Sequence, residues 1–180
     1  MRHFHLKRWQ IAIGATALVV LVAAGIALGI SQRTGGPITA VRAVESSAPE
    51  TTMSSTFVDL PGALTQPVSV AAGRMALMLV RFSAESECNG GTAGTVCNVR
   101  ILLVPTVGSP QQALPADDTF VCDQDTGNDG SEGHSMDRWL VVGAGSWRAR
   151  VQVRVAGPVG TTTTFTLDDW SLILERSDRG

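Results

Sequence analysis

The chain has 180 residues, is 44% hydrophobic and 17% charged, and carries a net charge of −2. That length suffices for one domain with its own core. All sixteen acids lie at or after Glu45, so the part beyond residue 34 holds ten arginines against sixteen acids, a net −6. Such acidity argues against nucleic acid, which needs a basic footprint, and against docking on anionic headgroups.

Residues 9–30, WQIAIGATALVVLVAAGIALGI, carry no charge and follow Arg2, Lys7 and Arg8. Twenty-two residues at about 1.5 Å rise span a bilayer core of about 30 Å. The basic cluster places residues 1–8 in the cytoplasm and the rest of the chain outside it. The competing reading is a cleaved signal peptide. Its apolar region would be shorter, about 7–15 residues, with a small-x-small site close behind. Here the nearest such site, Val41-Arg42-Ala43, ends thirteen residues past Ile30, and no cysteine follows the run to carry a lipid. The expectation is an uncleaved single-pass anchor in the cell membrane. Gly25 and Gly29 form one Gly-x-x-x-Gly pair, which composition alone explains.

Residues 31–55 are rich in Ser, Thr, Pro, Ala and Gly without sustained periodicity. They read as a flexible stalk. From Thr56 onward, short Val/Leu/Thr runs alternate with Gly/Pro/Asp turns. Strands are predicted at 56–60, 66–71, 75–84, 97–105, 117–123, 134–142, 147–155 and 162–175. The clearest is 147–155, where Trp147, Ala149, Val151, Val153 and Val155 alternate with Arg148, Arg150, Gln152 and Arg154. Period two buries one face and wets the other. In the last run Phe165 and Leu167 are followed by Asp168-Asp169, and Trp170, Leu172 and Leu174 resume one residue out of phase. A β-bulge at the Asp pair absorbs the slip.

Nothing in 56–180 keeps helical spacing. About eight strands predict an all-β, antiparallel sandwich behind one N-terminal transmembrane helix. No Trp lies between any two cysteines, so the immunoglobulin signature is missing. Irregular spacing and a long last strand favour a jelly-roll-like arrangement.

Cys88, Cys97 and Cys122 allow three pairings. In an oxidising compartment two should pair. Cys88 and Cys97 flank a Gly-rich turn between strand-like runs. If those runs form a hairpin, a bridge across its mouth is favoured, contributing roughly 2–3 kcal/mol. Cys122 is then a spare thiol, buried or in an intermolecular bridge.

The stretches His134–Arg138, Gly145–Gln152, Thr163–Trp170 and Arg81–Cys88 together resemble a group of uncharacterised bacterial β-sandwich domains found in secreted or membrane-anchored proteins. The resemblance covers most of 56–176. It implies fold and location and brings no chemistry.

His134 is the only histidine beyond the N-terminus. A triad with Ser135 or Ser146 and an Asp, or a Cys122–His134 dyad, is conceivable, but no G-x-S-x-G elbow is present. Seven acids fall between 117 and 137. Within DQDTGNDGSE, Asp123, Asp125 and Asp129 form a calcium candidate that fails the EF-hand frame, since Met136 stands where the closing Glu is needed. A solvated loop is the plainer reading. The neighbours Asp117-Asp118 and Asp168-Asp169 point to opposite faces of a strand, so neither pair is a glycosidase dyad. Trp147 and Trp170 fall in the buried phase of their strands. Trp139 has no assignable face and stands as the candidate ligand contact. The expectation is a non-catalytic binding or structural module with no cofactor beyond a possible calcium. Its partner is a protein or glycan at the cell envelope. The alternative is a carbohydrate-binding or calcium-dependent envelope module, and a hydrolase comes third.

Overall fold

A computed structural model describes residues 35–90, 95–122, 131–157 and 162–178. The 9–30 run lies outside the described residues, as do Asp123, Asp125 and Asp129. Among the described residues no helix is long and apolar enough to cross a membrane.

Among the described residues, eleven strands form two antiparallel sheets. The first contains β1 (Ile38–Ser46), β2 (Glu50–Thr52), β5 (Ala76–Asn89), β9 (Glu132–Val142) and β11 (Thr164–Asp178). Its order is β1-β11-β5-β9, with β2 also on β11. The second contains β3 (Val58–Leu64), β4 (Val68–Val70), β6 (Val96–Pro105), β7 (Gln111–Gln112), β8 (Thr119–Cys122) and β10 (Gly145–Ala156). Its order is β3-β10-β6-β7, with β4 also on β10 and β8 on β6. The chain changes sheet at β2–β3, β4–β5, β5–β6, β8–β9, β9–β10 and β10–β11.

The alternation seen in the sequence sets the core. On β10, Ala149 and Val151 are fully buried while Arg148 on the other face is exposed. β5 buries Ala76, Met78, Val80 and Phe82 in strict period two, and β6 answers with Cys97, Val99, Ile101 and Leu103. Burying one such side chain contributes about 1.5–3 kcal/mol. Trp147 and Trp170 are core residues, as expected. Trp147 Nε1 donates to the Gly143 carbonyl at 3.1 Å, whereas Trp170 Nε1 is buried without a partner among the described residues.

The bulge forms where expected. Asp168 pairs with Glu85 and Ser171 with Ser83, leaving one extra residue on β11. Asp169 takes φ 42°, and its N–H donates to Asp168 Oδ1 at 2.9 Å. The local bond helps hold a left-handed conformation that Asp tolerates better than most residues. Phe165, Leu167, Trp170, Leu172 and Leu174 thereby all face inward.

Three expectations are corrected. Eight strands become eleven. The 31–55 segment is not a stalk throughout, because β1 and β2 both pair with β11. β1 is an edge strand that contributes only Ala40 and Val44 to the core and leaves Ile38 and Val41 exposed, so its composition looks like linker. Cys88 and Cys97 do form a disulfide, with Cα atoms 5.9 Å apart, but they do not sit at a hairpin mouth. β5 and β6 belong to different sheets, and the bond ties one sheet to the other across an end of the core. Both cysteines are buried.

Candidate functional site: the two outer faces

The outward residues of the second sheet form an ordered polar lattice. Register places Arg148 opposite Val104, Arg150 opposite Leu102, Gln152 opposite Arg100 and Arg154 opposite Asn98. Asp59 of β3 lies opposite Gln152 on the other side. The row Asp59–Gln152–Arg100 is closed by three bonds. Arg100 donates from Nε and Nη2 to Gln152 Oε1 at 2.8 and 2.6 Å. Gln152 Nε2 then donates to Asp59 Oδ1 at 2.6 Å. Arg150 Nη1 reaches the other oxygen of Asp59 at 3.1 Å.

The next row is closed in the same way. Arg154 donates to Asn98 Oδ1 and to Asp118 Oδ2, each at 3.3 Å. Asn98 Nδ2 donates to Asp118 Oδ1 at 3.3 Å. Phe57, just before β3, receives both cations: the guanidinium carbons of Arg100 and Arg154 stand 4.0 and 4.4 Å from its ring centroid. Cation–π contacts of this kind contribute about 0.5–1 kcal/mol each when partly exposed.

Four guanidiniums therefore share two carboxylates. Asp59 takes Arg150 and Asp118 takes Arg154. Arg100 has only an amide oxygen, and the exposed Arg148 has no hydrogen bond or ion pair to a described residue. Burial first, and then the charge of Arg154, lower the pKa of Arg100 from its ordinary value, while Asp118 and Asp59 offset this only in part. Arg150 Nε is buried with no acceptor among the described residues. On a domain that is acidic overall, this face is locally cationic.

The outer face of the first sheet differs. Trp139 pairs with Leu79 in register, and Glu175 and Val41 continue the row. Trp139 is half-buried. Its backbone exchanges two 2.8 Å hydrogen bonds with Leu114, a bridge that fastens the loop after β7 to the edge of β9. One row away, Arg81 Nε donates to Asp137 Oδ1 at 3.0 Å.

Among the described side chains, His134 and the candidate serines do not assemble into a triad; the Cys122 side chain lies outside them. His134 faces inward on β9, where Ser86 Oγ and His134 Nδ1 share a 2.8 Å hydrogen bond. The Glu132 carbonyl is 3.1 Å from the same nitrogen, and the Phe120 ring packs 5.6 Å away. Ser86 is only 2% exposed, so this hydroxyl cannot meet a substrate. Ser135 points outward on the same strand, and Ser146 precedes Trp147 on β10. Sequence reasoning missed Ser86 because its pairing with His134 is made by strand register. Among the described residues no group of His, Cys, Asp and Glu could hold a metal.

No protein-family model matches the chain, and no curated protein matches it. Among solved structures it is similar to the CBM22-1 xylan-binding domain of Paenibacillus barcinonensis Xyn10C. The identity is 11% and the TM-score 0.31, over 79% of this chain and 97% of that domain.

Proposed function

We propose that the chain is a membrane-anchored, extracytoplasmic β-sandwich that acts as a non-catalytic binding module at the cell envelope. The observation that carries this reading is the lattice on the second sheet. Arg100, Arg150, Gln152 and Arg154 are held in fixed positions by one another and by Asp59 and Asp118. Side chains ordered in advance lose little conformational entropy on binding. A face kept only for solubility needs no such interlock. The apolar 9–30 run with its basic lead supports the anchor. The repeated crossing between sheets, with β11 between β1 and β5 and β10 between β3 and β6, supports a jelly-roll arrangement.

The test has two parts. External protease on intact cells should remove the C-terminal domain while untreated chain stays in the membrane fraction. Protection from protease, even after the envelope is permeabilised outside the inner membrane, would refute the topology. The 35–180 unit, whose core closes within itself, should co-sediment with washed envelope fragments. Failure to sediment with any fraction would refute the binding reading.

A second reading, carbohydrate binding on the first sheet, is favoured by Trp139 lying with Leu79 on an outward face. Replacing Trp139 by Ala would then abolish envelope retention without altering the second sheet. The calcium reading rests on Asp123, Asp125 and Asp129 in sequence alone.

A further inference from the structure

We infer that the outer face of the second sheet binds an acidic polysaccharide, a glycan chain carrying carboxylates, with Arg100 and Arg148 as the two groups that receive them. The inference deepens the binding-module reading and rests on it.

The argument starts from unspent charge. Asp59 and Asp118 are each committed to one arginine. Arg100 stacks on Phe57 and, among the described residues, hydrogen-bonds only the Gln152 amide oxygen through Nε and Nη2, which leaves Nη1 for an external acceptor. Arg148 is exposed and makes no bond to a described residue. A guanidinium presents a planar fork that matches a carboxylate and stays charged at any physiological pH. The two cations without a carboxylate partner among the described residues thus ask for two anions.

Their spacing decides the size of the ligand. Arg100 lies opposite Gln152, four residues from Arg148 along β10. At about 3.4 Å per residue the backbone positions that carry the two cations stand about 14 Å apart along the strand. One small anion cannot reach both, whereas a polymer lying along β10 can. Between them the face carries Arg150, with the Gln152 amide beside Arg100, donor groups suited to hydroxyl oxygens as well as carboxylates.

The chemistry of the face selects among polymers. An acidic peptide usually adds to a sheet edge or inserts an anchor into an apolar pocket. β10 is a central strand with β3 and β6 on either side, so its backbone is already paired. Single-stranded nucleic acid needs open aromatic faces for stacking, and Phe57 is already covered by Arg100 and Arg154. A hydroxylated, carboxylated chain needs neither edge, pocket nor stack.

The experiment is affinity electrophoresis of the 35–180 unit through gels containing polygalacturonate, neutral dextran or polyglutamate. Polygalacturonate should retard the domain, dextran should not, and added salt should weaken the retardation. Arg148→Gln should weaken binding at least threefold, Arg148→Lys should recover part of it, and Arg100→Gln/Arg148→Gln should weaken it at least tenfold. Arg148 has no hydrogen-bond or ion-pair partner among the described residues, so its single variant remains informative even if the double variant folds poorly. Equal retardation by dextran, equal retardation by polyglutamate, or an unaffected Arg148→Gln variant would each overturn the inference. Envelope co-sedimentation separates the two levels. If envelope fragments hold wild type and Arg148→Gln alike, the acidic-glycan assignment falls and the binding module stands. If they hold neither, the module reading itself falls.

Discussion

Replacing Cys88 and Cys97 together by Ala removes the bond that ties β5 to β6. The cysteines are nine residues apart in sequence. Loop-closure entropy for that separation gives about 2.6 kcal/mol at 25 °C. The folded unit has about 145 residues and an unfolding entropy of about 2.1 cal/mol/K per residue. The loss therefore lowers Tm by about 8–9 °C. Both side chains are buried, so removing two sulfurs adds a packing cost and makes this figure a lower bound. The double variant keeps only Cys122, which excludes a substitute intramolecular bridge. Calorimetry of the 35–180 unit and its variant measures the difference. Wild type melted with excess reductant should move most of the way toward the variant. A fall below about 3 °C would refute the loop-closure reasoning, and would mean that the unfolded chain is already constrained between these positions.

Asp169 sits at φ 42°, so Asp169→Gly should leave stability within about 0.5 kcal/mol of wild type. Asp169→Val should cost about 1–2 kcal/mol, both read by urea unfolding. Phe82 is fully buried against Phe120, and Phe82→Ala should cost about 3–5 kcal/mol by the same measurement. Arg81 and Asp137 form a well-exposed surface pair, and a double-mutant cycle should return less than about 1 kcal/mol. On the plainer reading of the acid-rich 123–132 sequence, millimolar calcium should leave Tm within about 1 °C of its value in chelator; a rise of several degrees would support Asp123, Asp125 and Asp129 as ligands.

Strands with one wet and one dry face were readable from residue order. β10 and β11 announce themselves through strict alternation, and the bulge through a single phase slip at Asp168-Asp169. β1 was not readable because an edge strand with mostly exposed residues has no apolar period, and β7, at two residues, is shorter than any pattern. The arginines of β10 were legible as a wet face. Their assembly with Phe57, Asp59, Asn98, Arg100 and Asp118 was not, since each comes from another segment and meets β10 only through register. The same limit hid Ser86 from His134. Local periodicity reveals which side of a strand is wet, and register alone decides which wet residues become neighbours.

The strand order has a consequence for how the polypeptide reaches this state. β11 is the partner of β1, β2 and β5 in one sheet, and β10 is the partner of β3, β4 and β6 in the other. The two organising strands come last in order among the described strands. Until β11 is made, β1 and β2 have no mates, and until β10 is made β3 and β4 have none, whereas β5 can pair with β9 and β6 with β7 and β8 earlier. The first sheet therefore closes only once β11 is made, through long-range pairing, a slow, high-contact-order route. A stop codon or protease cut before β11 leaves β1 and β2 without partners and one edge of β5 open, an exposed edge prone to aggregation.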